Sequence, residues 1–227
     1  MTTITEHKAD IEARIARAAA KAGRDPAQVS ILGVSKRQPV QKIAAALAAG
    51  IITLGENYLQ DALEKMPLLG ETPCWHFIGH IQSNKTRAIA GHFDWVQSIH
   101  DERIARRLSE QRPYHAGELQ VCIQVCPQGG SGRGGVQPDA VPALARCIEE
   151  LPRLRLRGLM IMPLAQRSDE QLHREFRAAR QLFDALCDDG HRLDTLSMGM
   201  SGDFEIAVSE GSTMVRVGTA LFGAREG

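Results

Sequence analysis

The chain has 227 residues, 43% of them hydrophobic, and its 27 basic and 27 acidic residues give a formal net charge of zero. This length and composition suit one large α/β domain with a substantial core, and the balanced charge offers no basic field for nucleic acid or an anionic membrane. The N-terminus has no apolar signal region, and no run approaches the ~20 apolar residues of a membrane-spanning helix. We therefore expect a cytoplasmic protein.

The hydrophobic pattern predicts an N-terminal helix over 5–22, followed by strands and helices in strict alternation. The predicted strands are 29–35, 51–54, 75–78, 94–98, 119–125, 155–161, 195–199 and 213–217. The predicted helices between them are 39–49, 57–66, 83–90, 101–111, 137–150, 168–189 and 202–210. We interpret Pro67 and Gly91 as the stops of two of these helices.

Eight strands separated by helices predict a parallel sheet with right-handed crossovers. We expect this sheet to close into a single (β/α)8 TIM-type barrel, with an extra N-terminal helix and one domain over 1–227. An open doubly wound sheet is the alternative. It is disfavoured because no GxGxxG motif follows the first predicted strand.

Cysteine and histidine spacing argues against disulfides and metals. The five cysteines are an odd number without a Cys-x-x-Cys pair, which favours reduced thiols. His76 and His80 are four residues apart, but on a predicted strand and loop, without a set of cysteine or carboxylate ligands. We expect no metal site.

Lys36 ends the first predicted strand and is one of only six lysines. The other five lie in polar or helix-like surroundings, where solvated surface positions are expected. A lysine desolvated at a strand end has a lowered pKa and becomes a nucleophilic amine, which is what Schiff-base chemistry requires. In a barrel Lys36 would lie at the C-terminal mouth, the usual place for function. A lysine that extends from the rim into solvent is equally compatible with this position.

The loops after the last two predicted strands have features of an anion site. Ser201 is placed as the N-cap of the helix that follows it, and Gly202 allows close backbone approach. Gly218 and Thr219 add N–H groups and a hydroxyl after the eighth strand. Barrels commonly bind phosphate with these two loops, so we predict phosphate binding, although each loop alone is explained as a cap or turn.

Three further polar residues fall on predicted strand ends or strands. Arg216 lies between two valines, so strand alternation directs it into the barrel if the valines face outward. A buried guanidinium needs an acceptor, which either a ligand or a structural ion pair would supply. Asn57 is explained as an N-cap but is also placed to bind a ligand ring. His76 is typical of a hydrogen-bonded core residue.

Several segments carry a family resemblance that extends from about residue 29 to the C-terminus. They are GVSK, GENYLQDALEKM, WHFIGHIQSNK, GLMIMP and LSMGMSGDFEIAVSEGSTMVRVGTALFGAR. In this order they resemble the pyridoxal phosphate homeostasis protein family, which is similar to the N-terminal barrel of alanine racemase. The resemblance implies pyridoxal 5'-phosphate (PLP) held as a covalent aldimine, that is a Schiff base, on Lys36. It also implies that the phosphate is held by Ser201, Gly218 and Thr219, that Arg216 faces the pyridine nitrogen, and that Asn57, His76 and Met198 surround the ring.

The glycine-rich loop 129–135 departs from the family pattern. Members of the family often carry a second lysine in this loop, whereas this chain has Arg133 at the matching place. An arginine forms no aldimine at ordinary pH. If the second lysine helps to pass PLP onward, this chain must do so differently. The loop also lacks the Lys-Ser/Thr ending of a P-loop, so we interpret it as a mobile rim segment.

The predicted arginine opposite the pyridine nitrogen bears on whether bound PLP is used for catalysis. A fixed positive charge there keeps that nitrogen unprotonated and weakens the electron sink. The sequence ends soon after the eighth predicted strand, so we expect no second domain to supply a second base. The predicted elements place neither of the two tyrosines, Tyr58 and Tyr114, at the mouth. We therefore expect a monomeric PLP carrier for apo-enzymes, without dedicated turnover. A fold-type III amino-acid racemase, or an aldolase-like barrel without PLP, remains open.

Overall fold

Eight parallel strands form a closed barrel in chain order, and the last strand pairs with the first. The computed structural model describes residues 3–126, 134–164 and 166–223. The strands are β1 Ser30–Val34, β2 Thr53–Glu56, β3 Cys74–Phe77, β4 Trp95–Ile99, β5 Leu119–Val125, β6 Leu154–Ile161, β7 Thr195–Met200 and β8 Met214–Val217. The predicted barrel is thereby confirmed and the open doubly wound sheet is excluded.

Helices follow the strands and cover the outside of the barrel. They are α1 Ile4–Lys21, α2 Val40–Ala48, α3 Leu59–Leu69, α4 Thr86–His92, α5 Glu102–Gln111, α6 Val141–Glu149, α7 Asp169–Asp188, α8 Phe204–Ser209 and α9 Thr219–Phe222. Helix α1, the predicted extra helix, begins with a capping box in which Thr3 and Glu6 bond each other's backbone N–H groups. The final helix, α9, was not predicted.

The apolar core lies mainly between the strands and the surrounding helices. On β3, Trp75 and Phe77 belong to this outer cluster, whereas His76 between them faces the interior, as strand alternation requires. A smaller apolar cluster fills the inside of the barrel and contains Leu32, Ile78 and Met214. The rest of the interior is polar in several places, and these polar residues lead to the site.

Two predicted helix stops were wrong. Helix α3 continues through Pro67 to Leu69, because Leu69 packs against the core beyond the proline. Helix α4 continues through Gly91 to His92. Strand β2 is shifted toward the C-terminus of its prediction, because the Ile51 N–H bonds the Ala46 carbonyl at the end of α2.

The described residues include all five cysteines, and none of these forms a disulfide. In the ranges the structure covers, no three His, Cys, Asp or Glu side chains are grouped to hold a metal ion. None of the described helices combines the length and apolar composition needed to cross a membrane. The prediction for Arg133 lies outside the described residues.

Candidate functional site at the C-terminal mouth of the barrel

Neighbouring strand ends bring several of the predicted site residues to one side of the mouth. Val34 of β1 pairs with Gly55 of β2, so the residues that follow each strand are adjacent. On the other side of β1, a side chain at Gly218 would come within 3.5 Å of the Val34 carbonyl oxygen. The segments after β8, β1 and β2 therefore meet, with Lys36 and Asn57 among them.

Lys36 occupies a tight turn that links β1 to α2, and its side chain is half-buried. The Gln38 N–H donates to the Ser35 carbonyl oxygen at 3.0 Å and closes the turn. Arg37 has a φ of 57°, which matches the left-handed third position of several turn types. The chain thus turns away from β1 at Lys36, the lysine on which the sequence analysis focused.

Ser201 joins the loops after β7 and β8. Its hydroxyl oxygen accepts hydrogen bonds from the N–H groups of Gly218 and Ala220, both at 3.2 Å. The prediction that Ser201 caps the helix after β7 was wrong, because α8 begins at Phe204 and its N-cap is Asp203. Ser201 instead binds the backbone where α9 begins, 17 to 19 residues away in the sequence.

Space and backbone donors suited to an anion lie together at this junction. A β carbon on Gly202 would meet no heavy atom of the described residues within 4 Å. Thr219, the first residue of α9, is exposed. The N–H groups that now donate to Ser201 are the kind of donors that a phosphate oxygen takes.

Arg216 is buried inside the barrel, as alternation along β8 predicts, with an exposure of 2%. Its Nη1 donates to the carbonyl and hydroxyl oxygens of Ser197, and its Nη2 donates to the Ile161 carbonyl oxygen at 2.7 Å. The protein itself supplies these acceptors, so no structural ion pair is needed, and the role of Arg216 toward a ligand stays a prediction. Burial lowers the pKa of Arg216 to about 10, so the guanidinium still carries its charge at neutral pH.

His76 is a buried member of a polar chain that crosses the barrel. Gln97 Nε2 donates to His76 Nδ1 at 2.9 Å, and His76 Nε2 lies 3.7 Å from Cys74 Sγ. The imidazole stacks on Trp95 with a centroid distance of 4.9 Å. Burial lowers the pKa of His76 to about 3, with a contribution from the charge on Arg157. The imidazole is therefore neutral at neutral pH, and both of its nitrogens have partners within the protein.

Met198 and Asn57 differ in how accessible they are. Met198 is fully buried in the outer apolar cluster, so it is not exposed at the mouth. Asn57 is half-buried and precedes α3 without capping it, because the N-cap is Tyr58. Asn57 Oδ1 is buried without a hydrogen-bond partner among the described residues. An orphaned acceptor at the mouth fits a ligand that brings its own donor.

A buried charged cluster behind Lys36 was missed by the sequence analysis. Lys65 was expected at the surface, yet it is 6% exposed and lies 3.1 Å from Glu56 Oε1 and 2.8 Å from Asp61 Oδ2. Burial raises the pKa of Glu56 to about 7. The helical spacing carried a signal: Lys65 lies three residues after Ala62 on the buried face of α3.

The position of one tyrosine also differs from the prediction. Tyr58 precedes α3, and its ring centroid lies 5.2 Å from the guanidinium carbon of Arg37, the residue after Lys36. This places a half-exposed phenol beside the mouth. Tyr114 is 91% exposed on a short 3-10 turn between α5 and β5, at the opposite end of the barrel.

Comparisons with known proteins agree over nearly the whole chain. The alanine racemase N-terminal domain family matches residues 7–226. A pyridoxal phosphate homeostasis protein of Pseudomonas aeruginosa is 52% identical over 227 residues, covering 100% of this chain and 97% of the relative. The protein of the same name from Escherichia coli K12 is 44% identical over 233 residues, covering 100% of this chain and 98% of the relative.

Solved structures give the same result at the level of the fold. PipY of Synechococcus elongatus with PLP bound is 34% identical and superposes with a TM-score of 0.82, covering 92% of this chain and all of that one. An alanine racemase of Corynebacterium glutamicum has a TM-score of 0.70 at 17% identity, covering 96% of this chain and 61% of the racemase. The racemase likeness shows the shared barrel.

Proposed function

Because this chain belongs to the pyridoxal phosphate homeostasis protein family, we propose that it binds PLP at the barrel mouth and takes part in PLP homeostasis. The observation that carries the proposal is the junction of three loops. The turn of Lys36 follows β1, and Gly218, which Ser201 binds, lies beside the end of that strand. A primary amine, an anion site and a fixed cation are the groups that PLP requires of a protein.

We assign the covalent attachment to Lys36. Its amine would hold PLP through the aldehyde carbon, with loss of one water molecule. Ser201, Gly218 and Thr219 are proposed to hold the phosphate, with their N–H groups and hydroxyls as donors. Asn57, His76 and Met198 are proposed to surround the ring. Of these, Asn57 has the orphaned acceptor, whereas Met198 lies in the apolar layer outside the barrel, so its assignment rests on the family resemblance alone.

Arg216 is proposed to face the pyridine nitrogen. Bound PLP supplies an electron sink when its ring nitrogen is protonated, and a fixed guanidinium opposes that protonation. Three acceptors on the protein hold Arg216 in place. The arrangement favours holding the cofactor over turning a substrate over.

The cellular role follows from holding PLP without a dedicated reaction. We propose that the protein is a cytoplasmic monomer that delivers PLP to apo-enzymes by transient contact. The absence of the family's frequent second lysine at Arg133 makes transfer through a second covalent attachment unavailable at that position. The assignment of 1–227 to a single domain stays a prediction.

The test is the visible absorbance of the full-length protein with PLP, followed by borohydride reduction and peptide mass mapping. We expect a yellow protein whose reduced label is on Lys36, and loss of the label in Lys36→Ala. Lys85→Ala is the matched control, because Lys85 lines a cleft together with Asn57. A colourless protein that does not take up PLP, or a label on Lys85, would overturn the assignment.

A fold-type III racemase is the second candidate, and the position of Tyr58 is the observation in its favour. A racemase needs a base on each face of the substrate carbon, and Tyr58 adds a phenol near Lys36. Incubation with a panel of L-amino acids, with D-isomers measured, separates the two functions. D-isomer formation that is lost in Tyr58→Phe would establish the racemase and remove the carrier proposal.

A further inference from the structure

The charged cluster behind Lys36 is buried at a place where stability alone does not explain it. Lys65 Nζ contacts Ser35 O at 3.0 Å, Glu56 Oε1 at 3.1 Å and Asp61 Oδ2 at 2.8 Å. The exposed fractions of Lys65 and Glu56 are 6% and 0%. Removing charges from water is costly, and a buried ion pair contributes little net stability compared with apolar side chains. The burial of this cluster is therefore better explained by the main-chain and side-chain groups that it holds in place.

On the N-terminal side of Lys36 the cluster binds Ser35. The Ser35 hydroxyl donates to Glu56 Oε1 at 2.7 Å, and the Ser35 carbonyl oxygen accepts from the Lys65 ammonium. The same carbonyl accepts the Gln38 N–H that closes the turn. Glu56 is directed toward α3, because the neighbouring Gly55 faces the inner cluster. Lys65 thus reaches the turn from outside the barrel.

On the C-terminal side of Lys36 the cluster binds Arg37. The Arg37 N–H donates to Asp61 Oδ2 at 2.8 Å, and Lys65 bonds the same oxygen. A φ of 57° at Arg37 is unfavourable for a residue with a side chain, by about 1 kcal/mol or more. The bond to Asp61 offsets that strain. The main chain is thereby held immediately before and immediately after Lys36.

We propose that Lys65 is a positioning residue for Lys36: with Glu56 and Asp61 it fixes the turn that sets where the Lys36 amine stands. The inference rests on the proposed function, since the reaction of Lys36 with PLP is the step whose geometry it controls. Misplacement of a reacting group by about 1 Å changes rates by about a hundredfold. Lys65 has no contact with PLP in this proposal.

The test measures how fast PLP becomes attached to Lys36 in the full-length protein, by absorbance and by borohydride labelling at timed intervals. For Lys65→Met we expect attachment to be about tenfold to a hundredfold slower. Asp61→Asn, which keeps the Lys65–Glu56 contact, is expected to give a smaller reduction. Arg112→Met is the matched control, because Arg112 is also a buried cation but donates to main-chain carbonyls at the opposite end of the barrel.

Loss of fold is separated from loss of position by two measurements. Thermal unfolding of each variant is recorded first. The attachment rates of Lys65→Met and Arg112→Met are then compared, each at a temperature the same number of degrees below the unfolding temperature of that variant. If Lys65→Met does not fold, the double variant Glu56→Gln/Lys65→Met replaces both buried partners together. If the double variant also fails to fold, the rate for Asp61→Asn decides.

The outcomes distinguish the inference from the function on which it rests. Wild-type protein that is not labelled on Lys36 overturns the proposed function. Wild-type protein labelled on Lys36, with Lys65→Met and Asp61→Asn labelled at the wild-type rate, overturns the positioning role alone. Equal slowing in Lys65→Met and Arg112→Met also overturns it, because the effect would then follow stability. Slowing confined to Lys65→Met and Asp61→Asn supports it.

Discussion

Arg216 and Ser197 are joined by two hydrogen bonds, from one guanidinium nitrogen to the carbonyl oxygen at 2.7 Å and to the hydroxyl oxygen at 2.8 Å. The Ser197 hydroxyl donates its own proton to Gln97 Oε1 at 2.7 Å. Gln97 then donates to His76. Because the Ser197 hydroxyl donates to Gln97, its oxygen is free to accept from Arg216. The resulting hydrogen-bonded chain joins residues from four different strands.

Ser197→Ala is expected to destabilise the fold by about 1–3 kcal/mol, because it leaves a buried arginine and a buried amide each short of a partner. Urea unfolding of the two proteins measures the difference. Ser209→Ala is the control, since among the described residues the Ser209 hydroxyl bonds only the Ile206 carbonyl within its own helix. A loss no larger than that of Ser209→Ala would show that the chain through Ser197 is energetically unimportant.

The buried neutral His76 predicts a dependence of stability on pH. Its folded pKa of about 3 lies below the ordinary value of 6.5, so the unfolded chain takes up a proton that the folded protein does not. The contribution is fully present above about pH 6.5 and is lost as the pH falls toward 3. Relative to His76→Gln, wild type is expected to lose roughly 2 kcal/mol between pH 7 and pH 5. A pH-independent difference in urea unfolding would contradict this.

The raised pKa of Glu56 predicts a dependence of stability on pH with the opposite sign. Burial raises its folded pKa from 4.5 to about 7, so the folded protein keeps a proton that the unfolded chain releases. The contribution of Glu56 is present below about pH 4.5 and falls as the pH rises to 7. Relative to Glu56→Gln, wild type is expected to lose at most about 1.4 kcal/mol per pH unit in this window. Urea unfolding of both proteins at pH 5, 6 and 7 tests this prediction. A wild type that becomes more stable relative to Glu56→Gln as the pH rises would refute it.

Gly79 is required because the strand end at Asn57 packs directly against it. A β carbon at Gly79 would lie 2.0 Å from the Asn57 carbonyl oxygen, so Gly79→Ala must displace the backbone beside the site. We expect a loss of about 2 kcal/mol or more in unfolding free energy, with weaker PLP binding. Gly91→Ala is the control in α4, where the added carbon meets open space. It is expected to stabilise by about 0.5–1 kcal/mol.

Local patterns in the sequence predicted most of the architecture. Strand and helix periodicities depend on side chains two to four residues apart, so the eight-strand alternation and the closed barrel were predictable. The same alternation predicted that Arg216 points inward, and strand order predicted Lys36 at the mouth. The helix ends at Pro67 and Gly91 were mispredicted. Leu69 packs against the core beyond the proline, whereas the local pattern at Gly91 did not indicate that the helix continues to His92.

By itself the sequence determined which residue types stand at the strand ends. It therefore predicted that an amine, an arginine and two loops suited to phosphate belong to the C-terminal end of the barrel. Only the tertiary structure decided what each of them contacts. Arg216 finds its acceptors on β6 and β7, Ser201 binds the start of α9, and Lys65 is buried behind Lys36. These partners lie 17 to 55 residues apart in the chain. They meet because closure of the barrel places strand ends side by side, and no pattern of a few residues records that contact.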